Sequence, residues 1–502
     1  MIELSAADIA AITHGRLSAT AVPELRIAVS AIVPDSREVR SGSLYVAKPG
    51  EFSDGHDFLP AAFAAGAVLA LSERDVADDG GAAFPAVIVQ DAVLAMGALA
   101  AEVVRRIRAA GQLTVIGITG SAGKTTTKDL LAGVLSRLGP TVAPQGSYNG
   151  EVGVPLTVFG ADLSTRFLVI EMGATKIGHV GYLASLVHPD IGVVLGVGTA
   201  HAGEFGGVEN IARAKGELVE SLSPSGFAVL NGDDNRVRAM ASRTSARVAL
   251  FGTGSQVGSG AAARLGPAAV ALDATTDRHG HPVFDLRFTD EPEGVRHALS
   301  SKLLGLHHVT NLLAAATAAH LAGASPELIA ESLSGQKAAS RWRMERTERD
   351  DGVSVINDAY NANPESMRAA LRTLAELGRT DGSAERRTWA VLGPMLELGE
   401  DSINAHDAIG RVAVRLNISR LVVVGTPARA MHVAAVMEGS WGDESVFVED
   451  AEAAYELLAR ELRPGDIVLF KSSNGAGLRF LGDRIALPTT GQPADPEGTR
   501  TP

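Results

Sequence analysis

Apolar residues along the chain fall into short runs that alternate with longer amphipathic segments. The short runs are rich in Val, Ile and Leu and are bounded by Gly and Asp, as in 113–120 and 167–173. The longer segments are rich in Ala and Leu, with apolar positions three and four residues apart, as in 94–111. This alternation predicts parallel sheets whose strands are joined by crossover helices. The expected fold class is therefore α/β.

The order of these segments divides the 502 residues into blocks, and such a length suggests about three domains. We expect a small N-terminal α/β domain over 1–110 and a central P-loop-type ATPase domain with a parallel sheet over 111–333. Residues 253–300 change to Gly-rich turns and alternating strands, which predicts a β insertion in the central domain. A C-terminal Rossmann-like domain is expected over 334–487. The Pro/Gly/Thr-rich tail, 488–502, is expected to be disordered.

Composition excludes several classes of protein. The net charge of -13 argues against a general nucleic-acid binder, which needs a basic face. Absence of Cys excludes disulfides, thiolate metal sites and Cys nucleophiles. The first 15 residues have the pattern of an amphipathic helix and lack the features of a signal peptide. With no apolar run of about 20 residues, we expect a soluble, cytoplasmic protein.

The segment 118–135, "ITGSAGKTTTKDLLAGVL", is the clearest candidate for chemistry. An apolar strand, a Gly-rich turn and a helix opening with Lys follow one another, which is the order of a phosphate-binding loop. The strict P-loop motif fails, because only two residues separate Gly120 from Gly123. The expected nucleotide-binding residues are Gly120, Ser121, Ala122, Gly123, Lys124, Thr125 and Thr126. Lys124 can reach the outer phosphates, and the Thr125 hydroxyl can bind Mg²⁺.

Three further residues stand where ligands of α/β sheets gather. Glu171 ends one apolar run and His201 follows another. Lys215 lies in 209–221, where the spacing puts it on the same helix face as Ile211 and Leu218. Taken singly, each residue also has a structural interpretation: a helix cap, a loop histidine or a lysine that extends to solvent.

Eight motifs in order resemble the Mur ligase family from about residue 30 to 480. They are "TGSAGKTTTKDL", "EMGA", "GTAHAGEFGGVENIARAKGELVE", "NGDD", "GLHHVTNLLAA", "SRWRME", "NDAYNANPESM" and "MLELGEDSINAHDAIG". The most specific is "DAYNANPESM", which resembles the branch of the family that adds D-alanyl-D-alanine. The branch that adds the third amino acid typically has "DNPR", which this chain lacks.

The resemblance implies an ATP-dependent amide ligase of cytoplasmic peptidoglycan precursor synthesis. Family members transfer the γ-phosphate of ATP to the terminal carboxylate of a UDP-linked peptide. The amino group of the incoming piece then attacks the acyl phosphate. The implied substrates are UDP-N-acetylmuramoyl-tripeptide and D-alanyl-D-alanine, with ATP and Mg²⁺ as cofactors. We expect a monomer that binds neither nucleic acid nor membrane.

The same resemblance assigns roles around the nucleotide. Lys124 would hold the β- and γ-phosphates, and Thr125 the first Mg²⁺. Further metal ligands would be Glu171 and His201. Lys215 matches a lysine that is N-carboxylated in related ligases, and with Lys124 and His201 it completes the expected catalytic set.

Nucleotide and substrate contacts are also implied in other blocks. Asn311 matches an adenine-contacting position, Arg343 one at phosphate and Asp358 one at ribose. Because these residues come from two blocks, the blocks have to close on each other, with 334–340 as the hinge. The remaining expected substrate-binding residues are Ser36 and Arg37 for the uridine diphosphate region, Asn149, and Tyr360, Asn361 and Asn363 for D-alanyl-D-alanine.

Some positions depart from the family pattern. Pro394 stands where an acidic residue is usual, His308 where Asn is usual, and Ser472-Ser473-Asn474 where Gly-Ser-Arg follows Lys471. These departures leave the substrate contacts of the third block open. The alternatives are another amide ligase of the superfamily, a non-catalytic nucleotide-binding module, and a P-loop kinase or GTPase. The identity of the third peptide residue, lysine or diaminopimelate, also stays open.

Overall fold

A computed structural model describes most of the chain. The described residues are 2–50, 53–78, 80–144, 146–198, 202–253, 266–379, 386–439 and 444–487, without the side chains of 202 and 204. The predictions for His201 and for the tail 488–502 lie outside these residues.

The N-terminal block is built on a five-stranded sheet with the order β2-β7-β6-β5-β4, beside a two-stranded sheet of β1 and β3. Its elements are β1 (Glu3–Ser5), α1 (Ala6–Thr13), β2 (Arg16–Leu17), β3 (Arg26–Ala28), β4 (Ile32–Val33), β5 (Ser43–Ala47), α2 (Leu59–Ala64), β6 (Ala67–Ser72), β7 (Ala86–Ile88) and α3 (Ala92–Ala110).

The helix predicted over the first 15 residues is wrong at its start. Residues Glu3–Ser5 form a strand that pairs with Arg26–Ala28, and the helix begins only at Ala6. The boundary is fixed by a capping box, in which the Ser5 hydroxyl accepts a bond from the Asp8 N–H and the Asp8 carboxylate accepts one from the Ser5 N–H.

The central block carries a nine-stranded sheet with the order β16-β15-β14-β13-β12-β11-β8-β10-β9. Its elements are β8 (Thr114–Thr119), α4 (Lys124–Leu135), β9 (Thr141–Val142), α5 (Gly153–Phe159), β10 (Phe167–Glu171), α6 (His179–Val187), β11 (Ile191–Val194), α7 (Ala202–Phe205), α8 (Val208–Glu220), β12 (Phe227–Asn231), α9 (Asn235–Ala239), β13 (Arg247–Gly252), β14 (Ala269–Thr276), β15 (Pro282–Phe288), β16 (His297–Ser300), α10 (His308–Leu321) and α11 (Pro326–Gly335).

The seven strands from β8 to β14 pair in parallel, and β15 and β16 extend the sheet in the antiparallel direction. The predicted β insertion is therefore an added sheet edge. Helices cover both faces of the parallel part, as buried parallel strands require. Ile116 and Ile118 of β8 pack toward α4 and α10, and Val115 packs on the opposite face with α3 and α6.

The C-terminal block carries a six-stranded sheet with the order β17-β18-β22-β19-β20-β21, parallel except for β17. Its elements are β17 (Glu345–Glu348), β18 (Ser354–Asn357), α12 (Pro364–Arg379), β19 (Thr388–Leu392), α13 (Ser402–Arg415), β20 (Arg420–Val424), α14 (Arg429–Glu438), β21 (Ser445–Val448), α15 (Ala451–Glu461), β22 (Ile467–Lys471) and α16 (Leu478–Ala486).

The three large sheets, one in each block, agree with the predicted three-domain α/β class, while the predicted domain boundaries stay a prediction. Direct hydrogen bonds join the second and third blocks. The Ser340 hydroxyl donates to Asp129 at 2.6 Å, and the Asn363 amide donates to the Ser121 carbonyl at 3.4 Å. None of the helices in the described residues has the length and apolar character needed to cross a membrane.

Candidate active site

A cavity of about 700 Å³ lies where the carboxyl ends of the central strands face the C-terminal block. Cavities at this end of a parallel sheet are the usual ligand sites of α/β folds. Most of the residues singled out from the sequence line it: Gly120, Ser121, Ala122, Gly123, Lys124, Thr125, Thr126, Asn149, Glu171, Lys215, Asn311, Arg343, Asp358, Tyr360, Asn361 and Asn363.

The phosphate loop connects β8 to α4. Gly123 has a φ of 83°, and a Cβ at this position would collide with the Asn311 amide, so glycine is required on two counts. The Lys124 ammonium folds back to the Gly120 carbonyl at 2.9 Å. Burial lowers the pKa of Lys124, although the nearby Glu171 carboxylate opposes this effect. The loop thus presents backbone N–H groups and one cation to the cavity.

Glu171 is a carboxylate of the site that is almost fully buried, at 1% exposed. One of its oxygens accepts a bond from the Thr125 hydroxyl at 2.9 Å. The other accepts bonds from the Ser147 hydroxyl at 2.6 Å and the Asn149 amide at 2.9 Å. These bonds fix both oxygens, and they make Ser147 a site residue that the sequence reasoning missed.

Thr125 and Glu171 fit a hard divalent cation. Both offer oxygen ligands, which Mg²⁺ prefers. Neighbouring ligands of an octahedral Mg²⁺ lie about 2.9 Å apart, given bonds of about 2.1 Å. The observed separation of the two oxygens is 2.9 Å. A cation could therefore bind both without a change in their spacing.

Lys215 lies on the buried face of α8, together with Ile211 and Leu218, as the periodicity predicts. It is 4% exposed. Burial, together with a smaller contribution from the charge of Lys124, lowers the pKa of its amine to about 7. Near neutral pH a large fraction of this amine is therefore unprotonated and nucleophilic.

Arg343 reaches the phosphate loop from the C-terminal block. Its Nη2 donates to the Thr125 hydroxyl at 3.2 Å, and its guanidinium lies over the Tyr360 ring at 4.4 Å. Among the described residues, no acceptor reaches its buried Nε. The neighbours Trp342 and Met344 both have positive φ, at 58° and 52°. Such backbone strain at large residues is typical of functional sites, and surrounding contacts have to stabilise the strained conformation.

Those holding contacts come from three carboxylates, one of which, Glu345, accepts a bond from the Trp342 backbone N–H at 3.0 Å. Asp483 accepts a bond from the Trp342 indole N–H at 3.0 Å. Asp358 accepts one from the Met344 backbone N–H at 3.1 Å and pairs with the Lys471 ammonium at 2.5 Å. Lys471 is 2% exposed, and burial lowers its pKa while Asp358 opposes that shift. This pair carries no signal in the sequence, because 113 residues separate its members.

His308, one of the departures from the family pattern, is buried beside Asn311. Burial lowers the pKa of His308 well below its usual value, so the imidazole is neutral. The Asn311 amide donates to its Nδ1 at 3.0 Å, which leaves the proton on Nε2. That Nε2 has no partner among the described residues. His308 can therefore offer one hydrogen bond to a ligand in the cavity that it lines.

Ser36 and Arg37 lie apart from this cavity. They occupy a short 3-10 helix, Ser36–Glu38, in the N-terminal block. Arg37 is exposed and pairs with Asp35 at 2.6 Å, which lowers the pKa of Asp35 through their side-chain hydrogen bond. Their expected uridine contacts stay a prediction.

Comparison with known proteins identifies the family. Three family models match in the order of the blocks: "Mur ligase family, catalytic domain" over 28–114, "Mur ligase middle domain" over 118–319 and "Mur ligase, glutamate ligase domain" over 342–474. The chain belongs to the Mur ligase family.

Full-length relatives agree with this assignment. A Mycobacterium leprae protein named UDP-N-acetylmuramoyl-tripeptide–D-alanyl-D-alanine ligase is 46% identical, over 96% of this chain and 98% of its own length. The crystal structure I of MurF from Acinetobacter baumannii matches with a TM-score of 0.82 at 28% identity, covering 97% of this chain and 99% of that one. The MurF ligase of Thermotoga maritima, in complex with ADP, matches with a TM-score of 0.73 at 25% identity, covering 91% and 98%.

The low pKa of Lys215 predicts how stability depends on pH in this Mur ligase. Between pH 7 and 10.5 the unfolded chain binds a proton on Lys215 that the folded chain lacks, so this lysine destabilises the fold most at the lower pH. Lys215→Met should raise the free energy of unfolding in CO₂-free buffer. That gain should shrink by up to about 3 kcal/mol from pH 7.5 to 9.5, at about 1.4 kcal/mol per pH unit. Denaturant unfolding at both pH values measures it.

The control for this experiment is the exposed lysine variant Lys302→Met, which should follow wild type at both pH values. If the gain from Lys215→Met were the same at pH 7.5 and 9.5, the amine would not be titrating in this range and its assigned pKa would be wrong.

Proposed function

We propose that this Mur ligase is an ATP-dependent amide ligase that joins D-alanyl-D-alanine to UDP-N-acetylmuramoyl-tripeptide. The observation that carries the proposal is the 46% identity, over nearly both whole chains, to a relative of that name. The segment 357–367, which marks this branch, lies where it can act, since Tyr360, Asn361 and Asn363 line the cavity beside the phosphate loop. ATP use agrees with the ADP complex of the Thermotoga maritima protein.

The geometry suits phosphorylation of a carboxylate. A carboxylate resists attack because its negative charge repels nucleophiles, and phosphorylation removes the charge while supplying a leaving group. Lys124 of the central block and Arg343 of the C-terminal block both lie at the phosphate loop. They would stabilise charge on the phosphate that is transferred. Transfer of the γ-phosphate to the carboxylate would leave ADP and an acyl phosphate. The amine of D-alanyl-D-alanine would then attack the acyl carbon, lose a proton and displace phosphate to form the amide. Positioning by two blocks supplies the remaining rate enhancement.

We further propose that Mg²⁺ binds at Thr125 and Glu171, with His201 as a predicted additional ligand outside the described residues. When bound, Mg²⁺ would neutralise charge on the nucleotide. Asn311 packs closely against Gly123 and donates to His308. The predicted contact of Asn311 is with adenine, and the His308 Nε2 proton would serve the same base. Asp358 anchors the Arg343 segment through Met344, and its predicted contact with ribose would add to that role.

Lys215 would act as a carbamate. A neutral buried amine can form a bond to CO₂ and release one proton to solvent, and the carbamate product carries a negative charge and two oxygens that suit a hard cation. Conversion would replace the repulsion between Lys215 and Lys124 with attraction. N-carboxylation of Lys215 is therefore part of the proposal.

The remaining assignments follow the resemblance. Ser36 and Arg37 would bind the uridine diphosphate end of the substrate, and Asn149 the peptide end near Glu171. The three blocks would act as UDP-substrate, ATP and D-alanyl-D-alanine domains. We propose that the enzyme is a monomer that acts in the cytoplasm, where UDP-linked precursors are made.

Substrate choice tests the proposed function. Purified protein with ATP and Mg²⁺ should form an amide from UDP-N-acetylmuramoyl-tripeptide and D-alanyl-D-alanine, measured by mass spectrometry together with phosphate release. Tripeptides ending in lysine and in diaminopimelate are compared side by side. Joining a single lysine or diaminopimelate to the UDP-dipeptide instead would show that the assigned branch of the family is wrong.

Removal of Lys215 tests the carbamate. Lys215→Ala should lose at least about 100-fold in turnover, as expected for loss of a group that orients charge at the phosphate, while UDP-substrate binding stays near wild type. Formate or acetate should restore part of the turnover by filling the vacated anionic position. Lys302→Met serves as the control and should show neither the loss nor the rescue. Near wild-type turnover of Lys215→Ala in bicarbonate-free buffer would rule the carbamate out.

A further inference from the structure

Lys128 is a buried cation for which the proposed chemistry has no use. It lies one turn into α4 and is 0% exposed. Its ammonium donates to the backbone carbonyls of Pro144 and of Gly146, the latter at 3.1 Å, and pairs with Asp129 at 2.7 Å. A buried charge is costly unless partners of this kind compensate for it, so the carbonyls must stay in place for the fold to accept it.

The carbonyls that Lys128 holds belong to the loop that orients Glu171. This loop runs from β9 to α5 and carries Ser147 and Asn149, which both donate to one oxygen of Glu171. Lys128 does not contact Glu171. Its ammonium nevertheless fixes the backbone from which the two donors project.

Asp129, the partner of Lys128, also connects α4 to the C-terminal block. Its second carboxylate oxygen accepts a bond from the Ser340 hydroxyl at 2.6 Å. Ser340 lies between α11 and β17, three residues before Arg343, which reaches Thr125 at 3.2 Å. Residues three and four apart share a helix face, so Thr125, Lys128 and Asp129 form one face of α4.

We propose that Lys128 and Asp129 are positioning residues that couple the segment carrying Arg343 to the loop that orients Glu171. Contact of Ser340 with Asp129 holds the Lys128 ammonium toward the loop carbonyls, and the loop then presents Ser147 and Asn149 to Glu171. Docking of the C-terminal block therefore sets the geometry of the magnesium ligand. This inference rests on the proposed function, because it takes Glu171 as a ligand of Mg²⁺.

Magnesium dependence tests the coupling. Lys128→Met should raise the Mg²⁺ concentration for half-maximal amide formation about 10-fold, as loss of residues that orient metal ligands does, with the KM for UDP-tripeptide unchanged. Ser340→Ala, which removes one hydrogen bond, should raise it about three- to fivefold. Lys302→Met and Ser136→Ala, an exposed serine at the far end of α4, should match wild type.

A double-mutant cycle distinguishes coupling from two independent losses. If Ser340 acts through Lys128, adding Ser340→Ala to Lys128→Met should leave the magnesium requirement near that of Lys128→Met alone. The same cycle with Ser340→Ala and Ser147→Ala, two half-buried side chains, keeps the test valid if Lys128→Met fails to fold. Effects that multiply in both cycles, or a KM for UDP-tripeptide that rises with an unchanged magnesium requirement, would overturn the proposal.

A binding measurement separates this inference from the proposed function. Calorimetric titration of a non-hydrolysable ATP analogue at graded Mg²⁺ concentrations needs no ligase activity. The Mg²⁺ concentration needed for half-maximal binding of the analogue should be lowest in wild type and the control variants, higher in Ser340→Ala and highest in Lys128→Met. If wild type forms no amide, the proposed function fails, and the calorimetric ordering still decides whether the coupling exists.

Discussion

Lys124, Lys215 and Arg343 line one cavity with the buried carboxylate Glu171, so three cationic groups lie in a partly buried site. Like charges repel strongly in such surroundings, and burial removes the hydration that would offset the repulsion. Burial is the main cause of the lowered pKa values of Lys124 and Lys215, and repulsion from Arg343 and Lys124, respectively, adds to it. A site of this kind is stabilised by anions. The triphosphate of ATP, the terminal carboxylate of a peptide and a lysine carbamate all supply them.

The rest of the structure places these charges. The carboxyl ends of β8 and β10 bring the phosphate loop and Glu171 to the same sheet edge. The C-terminal block adds Arg343 through a backbone strained at Trp342 and Met344, which Asp483 and Asp358 hold in place. Because the cationic groups come from two blocks, neither block has a complete site alone. Domain contact is thus a requirement of the chemistry in this arrangement.

Periodicity in the sequence was enough to predict most of the framework. Strand β10 lies within the predicted apolar run 167–173, and α8 puts Lys215 on its buried face as its spacing requires. Local competition explains the error at Glu3–Ser5, where pairing with a distant strand and the Ser5 cap override the helical pattern. Contacts distant in sequence could not be predicted. Asp129 and Ser340 are 211 residues apart, and neither residue alone carries a signal of their hydrogen bond.

The central claim is that a neutral Lys215 amine becomes an anion that balances the surrounding cations. Equilibration of the protein with ¹³C-bicarbonate, followed by ¹³C NMR, measures this directly. A carbamate resonance should appear in wild type, should strengthen when Mg²⁺ and a non-hydrolysable ATP analogue are added, and should be absent from Lys215→Ala. A wild-type spectrum without that resonance under saturating ligands, or an equal resonance in Lys215→Ala, would contradict the account.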